Sequence, residues 1–149
     1  LSPFLPWCHA NYSQLDAEHW IQFTQETWQN RTQFAFFIEE KSSRRLVGGC
    51  GLDSPANNSA NLGYWVRSDC TRQGYAGEAA GTLGTLALEH LALSQVNITM
   101  SVQNLASQHV AIKIGARFKH IAKKALKLHG ISHDAFVYTL NAKHVDTYA

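Results

Sequence analysis

The chain has 149 residues, which is enough for one domain, spanning 1–149, whose core needs no disulfide or metal. Its 13 basic and 11 acidic residues nearly balance, and no run of Lys or Arg indicates a nucleic-acid-binding arm. Since no apolar stretch approaches the length of a membrane span, neither nucleic acid nor a membrane is expected as a direct partner.

The cysteines and histidines do not form a metal-binding pattern. Cys8, Cys50 and Cys70 are far apart, and the eight histidines lack zinc-ligand spacing. We therefore expect no metal, and free thiols favour a cytoplasmic location. The chain begins at Leu1 rather than Met, and its first residues do not resemble a signal peptide.

Periodicity and turn residues predict nine elements. A capping box at Ser13–Asp16 starts the first helix, and Gly115 ends the third. Glycines within the second strand indicate a bulge or a closely packed neighbouring backbone. In chain order the predicted elements are a helix over 14–29, strands over 34–38, 46–52 and 60–66, a helix over 76–93, a strand over 96–102, a helix over 106–114, and strands over 118–128 and 133–140.

The most informative motif joins the third strand to the second helix. The strand ends in Gly63-Tyr64-Trp65-Val66, and Gly74-Tyr75-Ala76-Gly77-Glu78-Ala79 opens the helix. Bare glycine backbone at a helix N-terminus can approach a phosphate closely and present N–H groups to it. The Lys-Ser or Lys-Thr of a P-loop and the G-x-G-x-x-G fingerprint are both absent. The motif predicts a phosphate or pyrophosphate site of another type.

Four motifs in order resemble the GNAT N-acetyltransferase superfamily, and within it the RimJ/RimL-like ribosomal-protein branch. The resemblance implies an α/β (α+β) fold: a GNAT-like mixed, mostly antiparallel sheet that splays in the middle, with helices on both faces. It also implies that the strand and helix that usually precede the Leu5-Pro6-Trp7 segment are missing, either because the domain is N-terminally truncated or because it is naturally shorter. The matching motifs are Asn61–Val66, Gly74–Ala79, Asn104–Ser107 with Val110, Lys113 and Gly115, and Asp134–Tyr138.

The resemblance further implies that acetyl-CoA (coenzyme A) is the co-substrate. Backbone N–H groups of the loop at 72–77 would meet its pyrophosphate, and the backbone of the third strand would pair with its pantetheine arm. The ordinary alternatives are a tight turn for the loop at 72–77, a packing role for Trp65 and a helix-entry role for Asn104. The cofactor-binding residues expected on this basis are Trp65, Val66, Arg72, Gln73, Gly74, Tyr75, Ala76, Gly77, Asn104 and Ser107.

Ser107 is the expected catalytic residue. In the resembling family the corresponding Ser lies near the cofactor sulfur and protonates the leaving thiolate, whereas many other GNAT enzymes use a Tyr at the position of Ala111. A simple helix cap is the alternative for Ser107. In several ribosomal-type relatives, a Glu at the positions of Leu126 and Lys127 acts as the general base. This chain has no carboxylate there, so six residues remain open as its general base: Glu39, Glu78, Asp134, His109, His120 and His133.

The resemblance implies transfer of an acetyl group from acetyl-CoA to a primary amine, foremost the N-terminal α-amine of a protein, of ribosomal type. An α-amine has a pKa of about 8 and needs a weaker base than a Lys side chain at about 10.4. A small-molecule amine (a polyamine, an amino acid or an antibiotic) is the first alternative. A non-catalytic acyl-CoA-binding module is the second. Either a monomer or a homodimer is compatible with the sequence.

Overall fold

A computed structural model describes residues 3–142, except for the side chains of Ser54 and Pro55. The predicted order of helices and strands is confirmed, with a short 3-10 turn added at Ser68–Cys70. The elements are α1 (Gln14–Asn30), β1 (Gln33–Glu39), β2 (Leu46–Ala56), β3 (Ser59–Val66), α2 (Tyr75–His90), β4 (Gln95–Ser101), α3 (Leu105–Lys113), β5 (Arg117–Leu128) and β6 (Ile131–Asn141).

The six strands form one sheet in the order β1-β2-β3-β4-β6-β5. All neighbours are antiparallel except β3 and β4, which run parallel. The parallel pairing joins only Ser59–Asn61 to Gln95–Asn97, and the two strands separate beyond it. The expected mixed, mostly antiparallel, splayed sheet is confirmed, and the separation opens between the C-terminal halves of β3 and β4.

One face of the sheet carries the main core. Alternate residues of β4, Val96, Ile98 and Met100, are buried together with apolar residues of α2 and α3. Because successive side chains of a strand point to opposite faces, the intervening residues of β4 lie on the other face. That second face is polar along β4, and its residues are Asn97, Thr99 and Ser101.

Helix α1 begins as predicted but buries little of its apolar surface. Ser13 and Asp16 form the capping box, with Asp16 Oδ2 accepting from Ser13 N at 2.8 Å. Trp28 packs edge-on against Phe34 and Phe36 of β1. Thr27 is the one buried residue of the helix, and large apolar side chains such as Leu15 are exposed. The helix that the apolar period predicted is therefore present, but the period does not determine how deeply its apolar side chains are buried.

Helix α2 is shorter than the sequence predicted. It ends at His90 rather than at residue 93. Ala92 has a φ of 55°, and Ser94 N donates to Asn58 O at 2.8 Å. The chain leaves the helix here because it must start β4 beside β3. One side of α2 is buried, while residues such as Leu86 remain exposed.

Candidate active site

The open edge of β3 offers backbone groups to the splay. Arg67 N donates to Val47 O of β2 at 2.8 Å. Because successive N–H groups of a strand point in alternating directions, the N–H of Val66 points away from β2 and towards β4. β4 is not paired with β3 at this height. An extended ligand arm can therefore hydrogen-bond to this part of β3 as an added strand would.

Trp65 projects its side chain to the polar face of the sheet. Its indole packs 5.5 Å from the ring of Trp7. It also covers Gly49, where a Cβ atom would lie 2.6 Å from Trp65 Nε1. A Cβ atom at Gly51 would lie 2.8 Å from Phe34 O, so the predicted close approach of a neighbouring backbone to the glycines of β2 is confirmed. The expected cofactor contact of Trp65 concerns its backbone, and the side chain has a packing role of its own.

The turn before α2 presents a group of free backbone donors. Gly74 is the N-cap residue, with a φ of 87° in the region that favours glycine. Among residues 3–142, the N–H groups of Gln73, Gly74, Tyr75, Ala76 and Gly77 have no hydrogen-bond acceptor. These five donors meet at the positive end of a helix dipole, as an anion site requires. The structure brings together the predicted pyrophosphate-binding positions.

Side chains around the turn anchor it to the sheet. Cys70 is buried against Val66 and Tyr75. The phenol of Tyr75 donates to the carboxylate of Glu40, and hydrogen bonds from Ser43 and Tyr75 hold the pKa of that carboxyl below its usual range. The side chain of Tyr75 is therefore hydrogen-bonded to Glu40, the residue that follows β1, and only its backbone N–H remains for a phosphate.

Two cations lie near these donors. Arg72 is exposed within the turn. Lys113, in the last turn of α3, has its Cδ atom 3.7 Å from the Cβ position that Gly77 would have with a side chain. The sequence motifs contained Lys113, but the set of expected site residues did not. Its proximity to α2 depends on how the two helices pack, which sequence spacing does not reveal.

Ser107 forms a hydrogen-bonded bridge across the splay with Tyr64. Tyr64 Oη donates to Ser107 O at 2.7 Å and accepts from Ser107 Oγ at 3.1 Å. Burial raises the pKa of Tyr64 to about 12, so this phenol remains a neutral donor. Tyr64 was not among the expected site residues. The sequence did contain a signal for Tyr64: it precedes Trp65 in β3, so the two side chains point to opposite faces of the sheet, and that of Tyr64 points to the helix side.

Asn104, rather than Ser107, caps α3. Asn104 Oδ1 accepts from Ser107 N at 3.2 Å. The alternative interpretation of Ser107 as a helix cap is therefore wrong, and its hydroxyl is engaged with Tyr64 instead. Asn104 uses its carbonyl oxygen as a cap, and no residue between 3 and 142 accepts from its Nδ2. Ala111, at the position where other GNAT enzymes have Tyr, is buried in the core.

The six possible bases have different surroundings. Glu39 is paired with Arg44. Asp134 accepts from Lys124 N at 2.9 Å and from Lys123 Nζ at 3.3 Å, and these contacts lower the pKa of its carboxyl. The remaining four are Glu78, His109 and His120, which are exposed, and His133, whose Nδ1 lies 3.0 Å from Ser101 Oγ.

Within residues 3–142 there is no group of three or more His, Cys, Asp or Glu side chains that could hold a metal ion. In the same range no helix has the length and apolar character needed to cross a membrane. Cys8, Cys50 and Cys70 are free thiols.

Comparison with known proteins identifies the family. Residues 2–117 match the acetyltransferase (GNAT) domain model, so the chain belongs to the GNAT acetyltransferase family. Together with its structural neighbours, this makes it an acetyl-CoA-dependent N-acetyltransferase. The alternative of a non-catalytic module is thereby set aside.

Several of the similar proteins are acetyltransferases of ribosomal type, and others are of different kinds, such as the microcin C7 self-immunity acetyltransferase MccE. The chain is 30% identical to a provisionally assigned ribosomal-protein-serine acetyltransferase from Vibrio cholerae, covering 87% of this chain and 76% of that one, with a TM-score of 0.80. It is 32% identical over 96 residues to the provisionally named ribosomal N-acetyltransferase YdaF of Bacillus subtilis, covering 61% of this chain and 52% of that protein's length. RimL, the ribosomal L7/L12 α-N-protein acetyltransferase solved with coenzyme A, shows the same fold: 22% identity, 94% and 79% coverage, TM-score 0.85.

Proposed function

We propose that this N-acetyltransferase modifies the α-amine at the N-terminus of a protein, of ribosomal type. The observation that carries the proposal is the 30% identity to the Vibrio cholerae relative, which extends over 87% of this chain. The similarity to YdaF points in the same direction. A cytoplasmic location, a single domain, and a monomeric or dimeric state stay predictions from the sequence.

The polar face of the splay also favours an acceptor with one weakly basic amine. The side chains on this face near the open end are neutral or weakly basic: Trp65, Thr99, Ser101 and His133. Asp53 lies on the same face, but it pairs with Asn61, at the closed end where β3 and β4 meet. Recognition of a polyamine requires several carboxylates beside the reacting amine, and the residues between 3 and 142 do not supply them at the open end of this face.

The backbone geometry fits acetyl-CoA. The five free N–H groups before and within the first turn of α2 suit a pyrophosphate, and the unpaired edge of β3 suits an amide-containing arm. Acetyl-CoA supplies the activated thioester. In this proposal the Val66 N–H polarises the thioester carbonyl.

Ser107 Oγ then gives its proton to the departing sulfur, and Tyr64 orients that hydroxyl. The remaining members of the proposed binding set act mainly through position and charge, since the reaction is largely one of holding two substrates together. They are Trp65, Arg72, Gln73, Gly74, Tyr75, Ala76, Gly77 and Asn104, to which the structure adds Lys113.

The identity of the acceptor amine is tested by following thiol release from acetyl-CoA with three peptides that differ only in their amines. The first has a free N-terminus and no Lys, the second has an acetylated N-terminus and one internal Lys, and the third has neither amine. We expect release with the first alone. Faster release with the Lys peptide, or with spermidine or free amino acids in a parallel panel, contradicts the α-amine proposal and leaves the acetyltransferase class intact.

A further inference from the structure

The two faces of the splay carry different proton-exchanging groups. On the helix side, Tyr64 and Ser107 form the bridge described above. On the polar side, Thr99 and Ser101 point away from the helices, and Thr99 Oγ1 lies 3.4 Å from Asn61 Oδ1 of β3. His133 approaches Ser101 on this second side. A hydroxyl donor and an imidazole therefore lie on opposite faces of the sheet, and Ser101, at the C-terminal end of β4, joins the imidazole to the strand that borders the opening.

Ser101 holds the imidazole of His133 in a defined orientation. Ser101 is only 2% exposed, at the last position of β4. Its Oγ accepts from Gln103 N at 3.2 Å and lies 3.0 Å from His133 Nδ1. A hydroxyl oxygen has two acceptor sites, so it can also accept from an Nδ1–H. That tautomer leaves the lone pair on Nε2, and among residues 3–142 Ser101 is the ring's one hydrogen-bond partner.

The competing groups on neighbouring elements are less suitable. Asp134 is ion-paired with Lys123 and accepts a hydrogen bond from the backbone of Lys124, and Glu39 is ion-paired with Arg44. His120 lies on the outer strand β5 and is exposed, without an orienting side chain. His133, in contrast, is half-buried on β6. It is also the cross-strand partner of Leu126, one of the positions at which a carboxylate was expected.

We propose that His133 is the general base of this acetyltransferase and that Ser101 is its positioning residue. The inference rests on the acetyltransferase activity and not on which amine is the acceptor. As the amine nitrogen bonds to the acetyl carbon and the carbon–sulfur bond breaks, Nε2 of His133 takes the proton from nitrogen and Ser107 gives one to sulfur. His133 then loses its extra proton to water, and Ser107 regains one from water, so one proton has moved from nitrogen to sulfur overall.

Opposite placement suits a direct transfer for a geometric reason. The amine attacks one side of the thioester carbonyl, while the sulfur must receive its proton without obstructing that approach. A proton acceptor on the polar side and a proton donor on the helix side satisfy both requirements at once. The charged groups on the strands around His133 are Asp134 on β6 and Lys123, Lys124 and Lys127 on β5.

The test compares His133→Asn with wild type. The Asn side chain can keep the hydrogen bond to Ser101 through its Nδ2 but has nothing at the position of Nε2. With an α-amine peptide we expect kcat/KM to fall about 10²-fold, the lower end for general base catalysis, with unchanged acetyl-CoA affinity by calorimetry. His120→Asn, the same change on β5, is the matched control and should leave kcat/KM within threefold.

Two further readouts separate a base from a structural residue. With an acceptor amine of low pKa, the pH profile of kcat/KM should differ between wild type and His133→Asn, because only the wild type has the proposed base. Ser101→Ala should lower kcat about tenfold, and Ser101→Thr should restore it, because the hydroxyl holds the ring.

Several outcomes overturn the assignment. They are a His133→Asn enzyme within threefold of wild type, a pH profile of kcat/KM that is the same in both proteins, or equal losses from His120→Asn. Should His133→Asn fail to fold by circular dichroism, His133→Gln is measured by the same criteria. If wild type acetylates a small amine rather than peptides, the acceptor proposal fails and the His133 test proceeds with that amine. An inactive wild type that binds acetyl-CoA tightly overturns both.

Discussion

The two sides of the splay offer different kinds of chemical group. The β3–α2 side offers backbone: the Val66 N–H, the edge of β3 and the N–H groups from Gln73 to Gly77, which have no acceptor among residues 3–142. The opposite side, made by β4, α3 and β6, offers side chains, with Ser107, Asn104 and His133 each held by one defined partner. Tyr64 joins the two sides through its hydrogen bonds to Ser107.

This difference determines which changes each side tolerates. A backbone donor survives most side-chain substitutions, and only a new charge or a forbidden dihedral angle removes its use. A side-chain donor or acceptor is lost by a single truncation. The phosphate turn should therefore respond to charge, and the opposite side to the loss of individual atoms.

The largest expected effect breaks the backbone side. Gly74→Asp places a negative charge beside the pyrophosphate position, where space for a Cβ exists because no atom lies within 4 Å of it. We expect the acetyl-CoA Kd to rise about 10²-fold, or roughly 3 kcal/mol, in calorimetry. Gly74→Asn, which is similar in shape and tolerates positive φ, is the control and should lose far less. Equal losses from Asp and Asn would indicate backbone strain rather than charge.

Ser107→Ala tests the side-chain side. We expect kcat to fall about 10²-fold while the acetyl-CoA affinity changes little, because the hydroxyl is needed only as the sulfur departs. Stability should be nearly unaffected, since Asn104 supplies the cap of α3. The measurement is steady-state kinetics combined with chemical denaturation. A loss confined to stability, with kcat intact, would return Ser107 to a structural role.

Tyr64→Phe removes the link between the two sides. We expect kcat to fall about fivefold, because both hydrogen bonds between Tyr64 and Ser107 are lost, including the one that orients the Ser107 hydroxyl. Since the folded pKa of Tyr64 is about 12, above the ordinary 10, the folded state retains a proton that the unfolded state releases between these values. Wild type should lose stability as pH rises from 10 to 12, and Tyr64→Phe should lose less of it. Denaturation midpoints at pH 9 and 11 give the comparison, and parallel losses in both proteins would contradict it.

The smallest expected effect separates two roles of Asn104. Asn104→Ser keeps a good N-cap but removes Nδ2, so stability should change by less than about 0.5 kcal/mol. If Nδ2 reaches the cofactor arm as expected, the acetyl-CoA Kd should rise about threefold. Asn104→Ala, which loses the cap as well, should cost about 1 kcal/mol of stability. An unchanged Kd in both variants would limit Asn104 to capping.

Much of the fold could be predicted because its signals are local. The capping box at Ser13–Asp16, the positive φ of Gly74 and the Gly115 helix end depend on residues close together in the chain, and the structure has each of them. The end of α2 was misplaced because it depends on a contact between Ser94 and Asn58, which lie 36 positions apart. Local propensity continues a helix that a distant strand stops.

The sequence by itself determined the order of the elements, the backbone phosphate turn and the family. These follow from periodicity, glycine conformations and short motifs, all of which act over a few residues. Only the tertiary structure decided which side chains meet: Ser107 with Tyr64, Ser101 with His133, and Lys113 with the first turn of α2. Such pairs depend on strand register and helix packing, which are set by the whole core rather than by any one segment.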